Sequence, residues 1–259
     1  MRRRGALALA TAVALALLVG CGEGEAASDR LATPKLGACR VLKPADIAQT
    51  SNDSPVVPCT KKHTAQTFAI GTLPASTGTT YDDRRHGTFV FETCQKAFGE
   101  FLGADESLAM RVQLSWAWFR PSERGWKKGA RWYRCDVLGG PDHATSYRPL
   151  PVDARGLFST DLPAAWLTCA RGSSFAGSTK VPCSEKHDWR AVTTVKVGQP
   201  ADHYPGDRIV QVRSRDYCQE SVGGWMHYPP DYDYGYSWFR EAQWKAGNRR
   251  SVCWAKTDQ

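Results

Sequence analysis

After residue 20 the chain has no apolar run long enough to cross a bilayer as a helix, which takes about 20 residues, so no second membrane-spanning helix is expected. It has no long Lys/Arg stripe of the kind that tracks phosphates, which argues against a nucleic-acid partner. It has no Ser-x-x-Lys, Gly-x-Ser-x-Gly, His-Glu-x-x-His or phosphate-loop pattern. The expectation is therefore a protein that is not an enzyme and holds no cofactor.

What the chain does have begins at its start. Met1 is followed by Arg2, Arg3 and Arg4, then by an apolar run from Ala6 to Val19. A short apolar run with a basic flank is a secretory signal, here over 1–20, and not a fold element. Leu18-Val19-Gly20-Cys21 resembles the lipobox of bacterial lipoproteins. That resemblance implies that Cys21 carries a diacylglycerol on its sulfur and becomes the mature N-terminus. The expected placement is the extracytoplasmic face of the cell membrane. Residues 21–34, small and polar at first, read as a flexible tether. Cleavage removes three arginines and leaves 31 basic residues against 26 acidic, a net charge of +5 in place of +8. A mild basic excess favours anionic lipid or wall polymer.

The nine cysteines fit that compartment. With Cys21 lipidated, eight remain: Cys39, Cys59, Cys94, Cys135, Cys169, Cys183, Cys218 and Cys253. An even number in an exported chain reads as a set of disulfides.

Self-similarity sets the architecture. Val57-Pro58-Cys59-Thr60-Lys61-Lys62-His63 recurs as Val181-Pro182-Cys183-Ser184-Glu185-Lys186-His187, five of seven positions identical at a shift of 124. Cys94 recurs as Cys218 at the same shift, and Trp118-Phe119-Arg120 as Trp238-Phe239-Arg240. Trp126 and Trp244 each precede a cysteine, Cys135 or Cys253, by nine residues. Two domains follow, 35–140 and 160–257, joined by a Gly- and Pro-punctuated linker over 141–159. The segments 64–73 and 189–197 read as strands, as do 114–119, 131–138, 236–239 and 250–255. Phe91, Cys94, Phe98 and Phe101 lie on one helix face, with Gly103 as its stop. A second helix runs from near Asp207 to a stop at Gly223, its face marked by Val210, Ser214, Tyr217 and Cys218. The fold class is α+β: two tandem small disulfide-stabilised domains, each an antiparallel sheet with one main helix. Four cysteines allow three pairings per unit. The local pairing is preferred: Cys39–Cys59 with Cys94–Cys135, and Cys169–Cys183 with Cys218–Cys253.

These residues carry a resemblance. Val181 to His187, Tyr204-Pro205-Gly206-Asp207, Cys218, Trp244-Lys245-Ala246-Gly247 and Val252-Cys253 resemble the septum-formation family of actinobacterial membrane and exported proteins. The first unit matches at Val57-Pro58-Cys59, His63, Cys94 and Trp126 through Cys135, and lacks the Tyr-Pro-Gly-Asp segment. The resemblance implies a setting in cell division or the cell envelope, and no defined chemistry.

Three features bear on function. Cys59/His63 and Cys183/His187 repeat a Cys-x-x-x-His spacing. As a metal site it would need more ligands, and oxidation takes the thiols away, so disulfides beside hydrogen-bonded histidines are expected. A catalytic use of His63 and His187 is the remaining enzymatic reading. His86, His143, His203 and His227 have no counterpart in the other unit and are read as exposed. The stretch 225–239 crowds Trp, Tyr and Phe between prolines and glycine, and Tyr232, Tyr234 and Tyr236 are candidates for binding glycan or protein. The partners expected are the membrane through Cys21, and a cell-wall polymer or proteins of division and the envelope.

Overall fold

The structure, a computed structural model, describes residues 26–257 apart from His143, Pro200 and Ala246. The signal, Cys21 and the first residues of the tether lie outside the described residues. The first unit holds β1 (Cys39–Arg40), β2 (Val56–Val57), β3 (Ala65–Thr72), β4 (Ser115–Phe119) and β5 (Trp132–Leu138), in spatial order β2-β1-β3-β5-β4. The second holds β6 (Thr168–Arg171), β7 (Thr179–Pro182), β8 (Trp189–Lys196), β9 (Tyr234–Ser237) and β10 (Arg250–Lys256), in the matching order β7-β6-β8-β10-β9. Every pairing is antiparallel. One long helix serves each sheet, α2 (Arg84–Leu102) and α5 (Asp207–Trp225); α1 (Pro44–Ile47), α3 (Glu106–Ala109), α4 (Glu123–Lys127) and α6 (Glu241–Lys245) are single turns. This is the tandem α+β repeat read from the sequence.

The two units share an irregularity. In the β3–β5 ladder Thr67 faces Asp136 and Ala69 faces Cys135, so Phe68 is skipped. In the β8–β10 ladder Ala191 faces Trp254 and Thr193 faces Cys253, so Val192 is skipped. A bulge leaves its extra residue unpaired and re-aims it. Phe68 and Val192 both enter the core beneath the long helix. The helix is bolted to the strand at the same place, by Cys94–Cys135 and Cys218–Cys253. Cys39–Cys59 and Cys169–Cys183 close the outer hairpins. Each bridge removes chain entropy from the unfolded state, worth about 3–4 kcal/mol for loops of this length.

α2 begins at Asp83, whose carboxylate accepts from the Arg85 amide, and stops at Gly103 in the left-handed conformation (φ 68°). Val90, Cys94, Phe98 and Phe101 form its buried face. α5 differs from expectation. It runs through Gly223 to Trp225, and its buried face is Val210, Ser214, Cys218 and Val222, with Tyr217 exposed. Gly223 is there for space: a Cβ on it would meet the Tyr232 hydroxyl at 2.6 Å. The last match of the repeat also shifts. Trp118 faces Cys135 whereas Tyr236 faces Cys253, so Tyr236, and not Trp238, is the ladder equivalent of Trp118. β9 ends at Ser237, so Trp238-Phe239-Arg240 lies beyond the strand.

Behind the sheets the units diverge. In the first, Asp136 is fully buried and accepts from Thr67 Oγ1 at 2.6 Å and Arg134 Nε at 3.0 Å. Arg134 also donates to Asn52 at 2.8 Å, and Arg40 donates to Thr67 at 2.8 Å. Burial pulls the Arg40 guanidinium below its ordinary value; Asp136 opposes that and Arg134 adds to it. At the equivalent ladder positions the second unit has Ala170, Ala191, Val252 and Trp254, an apolar cluster completed by Phe175.

The connections are docked. Residues 26–34, expected as tether, are held on the first unit: Ser28 N donates to Asp53 at 2.6 Å, Ser122 Oγ and Arg124 donate to Asp29, and Trp132 Nε1 donates to Arg30 O at 2.9 Å. The connecting stretch 141–159 is likewise not free. Leu150, Ala154 and Phe158 are buried in the first core, and Gly156 N and Phe158 N donate to Phe101 O and Leu102 O. The units then meet directly. Val112 bridges Leu167, Thr168 N donates to Arg111 O, and Gln113 Nε2 donates to Val181 O at 3.1 Å.

Two outcomes follow. Asp136→Ala strands two buried guanidiniums and lowers stability by about 3–5 kcal/mol, read from urea midpoints; a loss under about 1 kcal/mol would contradict the buried network. The Asp29 carboxyl is held below its ordinary 3.8 chiefly by the Ser122 hydroxyl, then by Arg124. Its docking contribution is therefore present above pH 3.8 and lost as pH falls through the lower folded-state value. Asp29→Asn speeds hydrogen exchange over 26–34 at neutral pH and leaves the rest of the chain unchanged; equal exchange would show that Asp29 does not hold the segment.

Candidate functional site

His63 and His187 sit at equivalent turns, 1% and 3% exposed. Each ring faces the carbonyl two residues back through Nδ1: His63 to Lys61 O at 2.8 Å, His187 to Glu185 O at 2.7 Å. That contact puts the proton on Nδ1, which donates to the carbonyl. Nε2 is buried in both without a hydrogen-bond partner. Their neighbours in sequence, Cys59 and Cys183, are in disulfides. Among the described residues no group of three or more His, Cys, Asp or Glu side chains is placed to hold a metal ion. The arrangement braces the turn, through a ring that meets no solvent. His86 is a correction: it is fully buried on α2, against Trp126 at 5.1 Å, with Nε2 facing Gly78 O at 3.2 Å. Its ring ties the first turn of α2 to the chain at Gly78, eight residues back, a contact that a spacing argument could not see. His203 and His227 are exposed, and His143 lies outside the described residues.

Tyr232, Tyr234 and Tyr236 are half-buried against the core around Cys218–Cys253. The Tyr232 hydroxyl donates to Gln219 O at 2.9 Å and Tyr234 reaches Gln219 Oε1 at 3.4 Å. Burial pushes the Tyr234 phenol above its ordinary value. These rings therefore roof the disulfide with one edge in water. The exposed rings of 225–239 are Trp225 and Tyr228.

The ladder register gives them counterparts. Tyr234 and Tyr236 on β9 face Ala255 and Cys253; Trp116 and Trp118 on β4 face Val137 and Cys135. In each unit the first of the pair bonds to the glutamine after the helix cysteine: Trp116 Nε1 donates to Gln95 Oε1 at 3.2 Å, as Tyr234 does to Gln219. The sequence carried this signal, since Trp116, Trp118 and Cys135 recur as Tyr234, Tyr236 and Cys253 at one shift of 118, and Cys94-Gln95 as Cys218-Gln219 at 124.

The two platforms have different surroundings. The first opens on a cleft of about 560 Å³ between the units. Phe91, Gln95, Trp116 and Trp118 line one side; Lys180, Gln243 and Asn248 line the other. Nothing in the spacing of these residues joins them, because the cleft exists only once the units dock.

Two α+β units of one topology, each braced by two disulfides and roofed by an edge-strand aromatic pair, define a tandem-repeat chain. A family model described as septum formation matches it twice, over residues 22–120 and 111–253. The chain belongs to the septum-formation family. No curated protein and no solved structure matches it.

The buried histidines generate a direct test. Zinc added to the oxidised protein leaves its melting temperature unchanged; a saturable rise at one zinc per unit would show that Nε2 is a ligand.

Proposed function

We propose that this family member is a non-catalytic binding or scaffold lipoprotein, held by lipid on Cys21 at the extracytoplasmic face of the cell membrane and serving envelope or division processes. The observation that carries the reading is the cysteine distribution. Cys39, Cys59, Cys94, Cys135, Cys169, Cys183, Cys218 and Cys253 all lie in within-unit bridges, which suits an oxidising compartment, and Cys21 alone stands apart in sequence at the end of an apolar run. The doubled family match supports the setting. The burial of His63 and His187 supports binding over catalysis, since a general base must reach substrate.

The docked N-terminal segment adds a distance. From Cys21 to Ala26 the chain spans at most about 18 Å when fully extended. An anchor on Cys21 therefore keeps the first unit against the headgroups, with the α4 side that holds Ser28 and Asp29 nearest the membrane. Partners would be envelope or division proteins, or wall polymer, within that reach.

Cys21→Ser moves the protein from the membrane fraction to the soluble fraction and abolishes labelling by a fatty-acid probe. A variant that stays in the membrane with unchanged mobility would overturn the anchor.

A further inference from the structure

We propose that the cleft between the two units is a binding site for a neutral oligosaccharide. The inference rests on the reading of the protein as an envelope binder and names what it binds.

Three properties of the cleft point to that ligand. The first is its rings. Phe91, Trp116 and Trp118 are half-buried along one wall, Phe91 and Trp116 with centroids 5.6 Å apart. Flat apolar faces with a polar edge match the C–H faces of a sugar ring. The Trp116 ring is fixed in advance, because its Nε1 already donates to Gln95.

The second is a set of donors. Gln95, Gln243 and Asn248 line the cleft, and each is tied down by its oxygen: Gln95 Oε1 by Trp116, Gln243 Oε1 by the Arg240 amide at 2.9 Å, Asn248 Oδ1 by the Arg250 amide at 2.8 Å. A carboxamide held by its oxygen presents its NH2 group as donor. Three such groups beside aromatic rings suit an oxygen-rich ligand that needs no charge. β4 adds to this. It is the edge strand of its sheet, and four consecutive residues from Ser115 to Trp118 line the cleft, so its backbone edge faces the same space.

The third is charge. The lining carries Glu106 and Asp142 against Lys180 and Arg249, and Glu106 is paired with Arg250 at 2.8 Å. Two acids and two bases on the lining build no field of one sign, which suits a neutral ligand. The volume of about 560 Å³ falls within the roughly 300–1,000 Å³ of small-ligand clefts. The equivalent pair of the second unit, Tyr234 and Gln219, does not line this cleft, which places the site on the junction and not on the repeat.

The test titrates chitotetraose and cellotetraose into the oxidised protein and follows tryptophan fluorescence and heat. Gln243→Glu and Asn248→Asp keep the oxygen that each structural bond needs and remove the donor, so their melting temperatures stay at wild type. Each is expected to weaken binding of at least one oligosaccharide by about tenfold, and Trp116→Ala by more. No binding of either sugar up to about 10 mM, beyond the millimolar range of weak complexes, would overturn the ligand class. Undiminished binding by both isosteric variants would overturn the site. Saturation of the same fluorescence change by an uncharged extended peptide, and not by sugar, would show that β4 accepts an added strand instead. Loss of membrane attachment in Cys21→Ser is read separately, so failure here leaves the placement of the protein standing.

Discussion

Each unit depends on one covalent constraint, the disulfide from the long helix to the strand that faces the bulge, β5 or β10. Cys94–Cys135 and Cys218–Cys253 fix the helix over the residue that the ladder skips, Phe68 or Val192. The bulge gives the core an extra side chain, and the bridge holds the helix where that side chain can be covered. The edge strand then roofs the sulfurs with two aromatics, tied by a glutamine next to the helix cysteine. A domain of about 100 residues buries a limited core, so this covalent support matters more here than in a larger fold.

The divergence of the units lies on the other face of the sheet. The first buries Arg40, Arg134 and Asp136 where the second buries Ala170 and Trp254, with a half-buried Val252 packed beside them. A buried ionic cluster contributes little net stability against an apolar one of equal volume, and breaking it is costly. The second unit instead uses Trp254 at the back of its sheet, and that side faces the inter-unit cleft. The repeat thus supplies two copies of a scaffold, while the docking of one copy on the other supplies the asymmetric site. Gln113, Val112 and Arg111 hold that docking through backbone partners, which fixes orientation as well as proximity.

Much of the scaffold was legible in the sequence because the repeat supplied a second reading of every element. The long helices and the main strands follow from periodicity and spacing; the pairing of the cysteines does not, and locality only favours one of the three connectivities in each unit. The misses have physical causes. Gly223 looks like a helix stop until Tyr232 is seen resting on it. Residues 26–34 look like a tether because Ser28 and Asp29 are polar, yet their burial is satisfied by Asp53, Ser122 and Arg124, all distant in sequence. His86 reads as a surface residue because nothing local shows that Trp126 folds over it. The aromatic stretch was visible, but its counterpart on β4 was hidden by an alignment two residues out of ladder register. The cleft could not be read at all, since its two walls come from different units.

The cysteines set both the fold and the proposed compartment. The most direct measurement is mass spectrometry of unreduced peptides from protein purified out of its native membrane fraction. The expected result is Cys39–Cys59, Cys94–Cys135, Cys169–Cys183 and Cys218–Cys253 at full occupancy, with Cys21 as a lipid-modified N-terminus. Free thiols among the eight, a bridge between the units, or an unmodified Cys21 within an intact leader would contradict it.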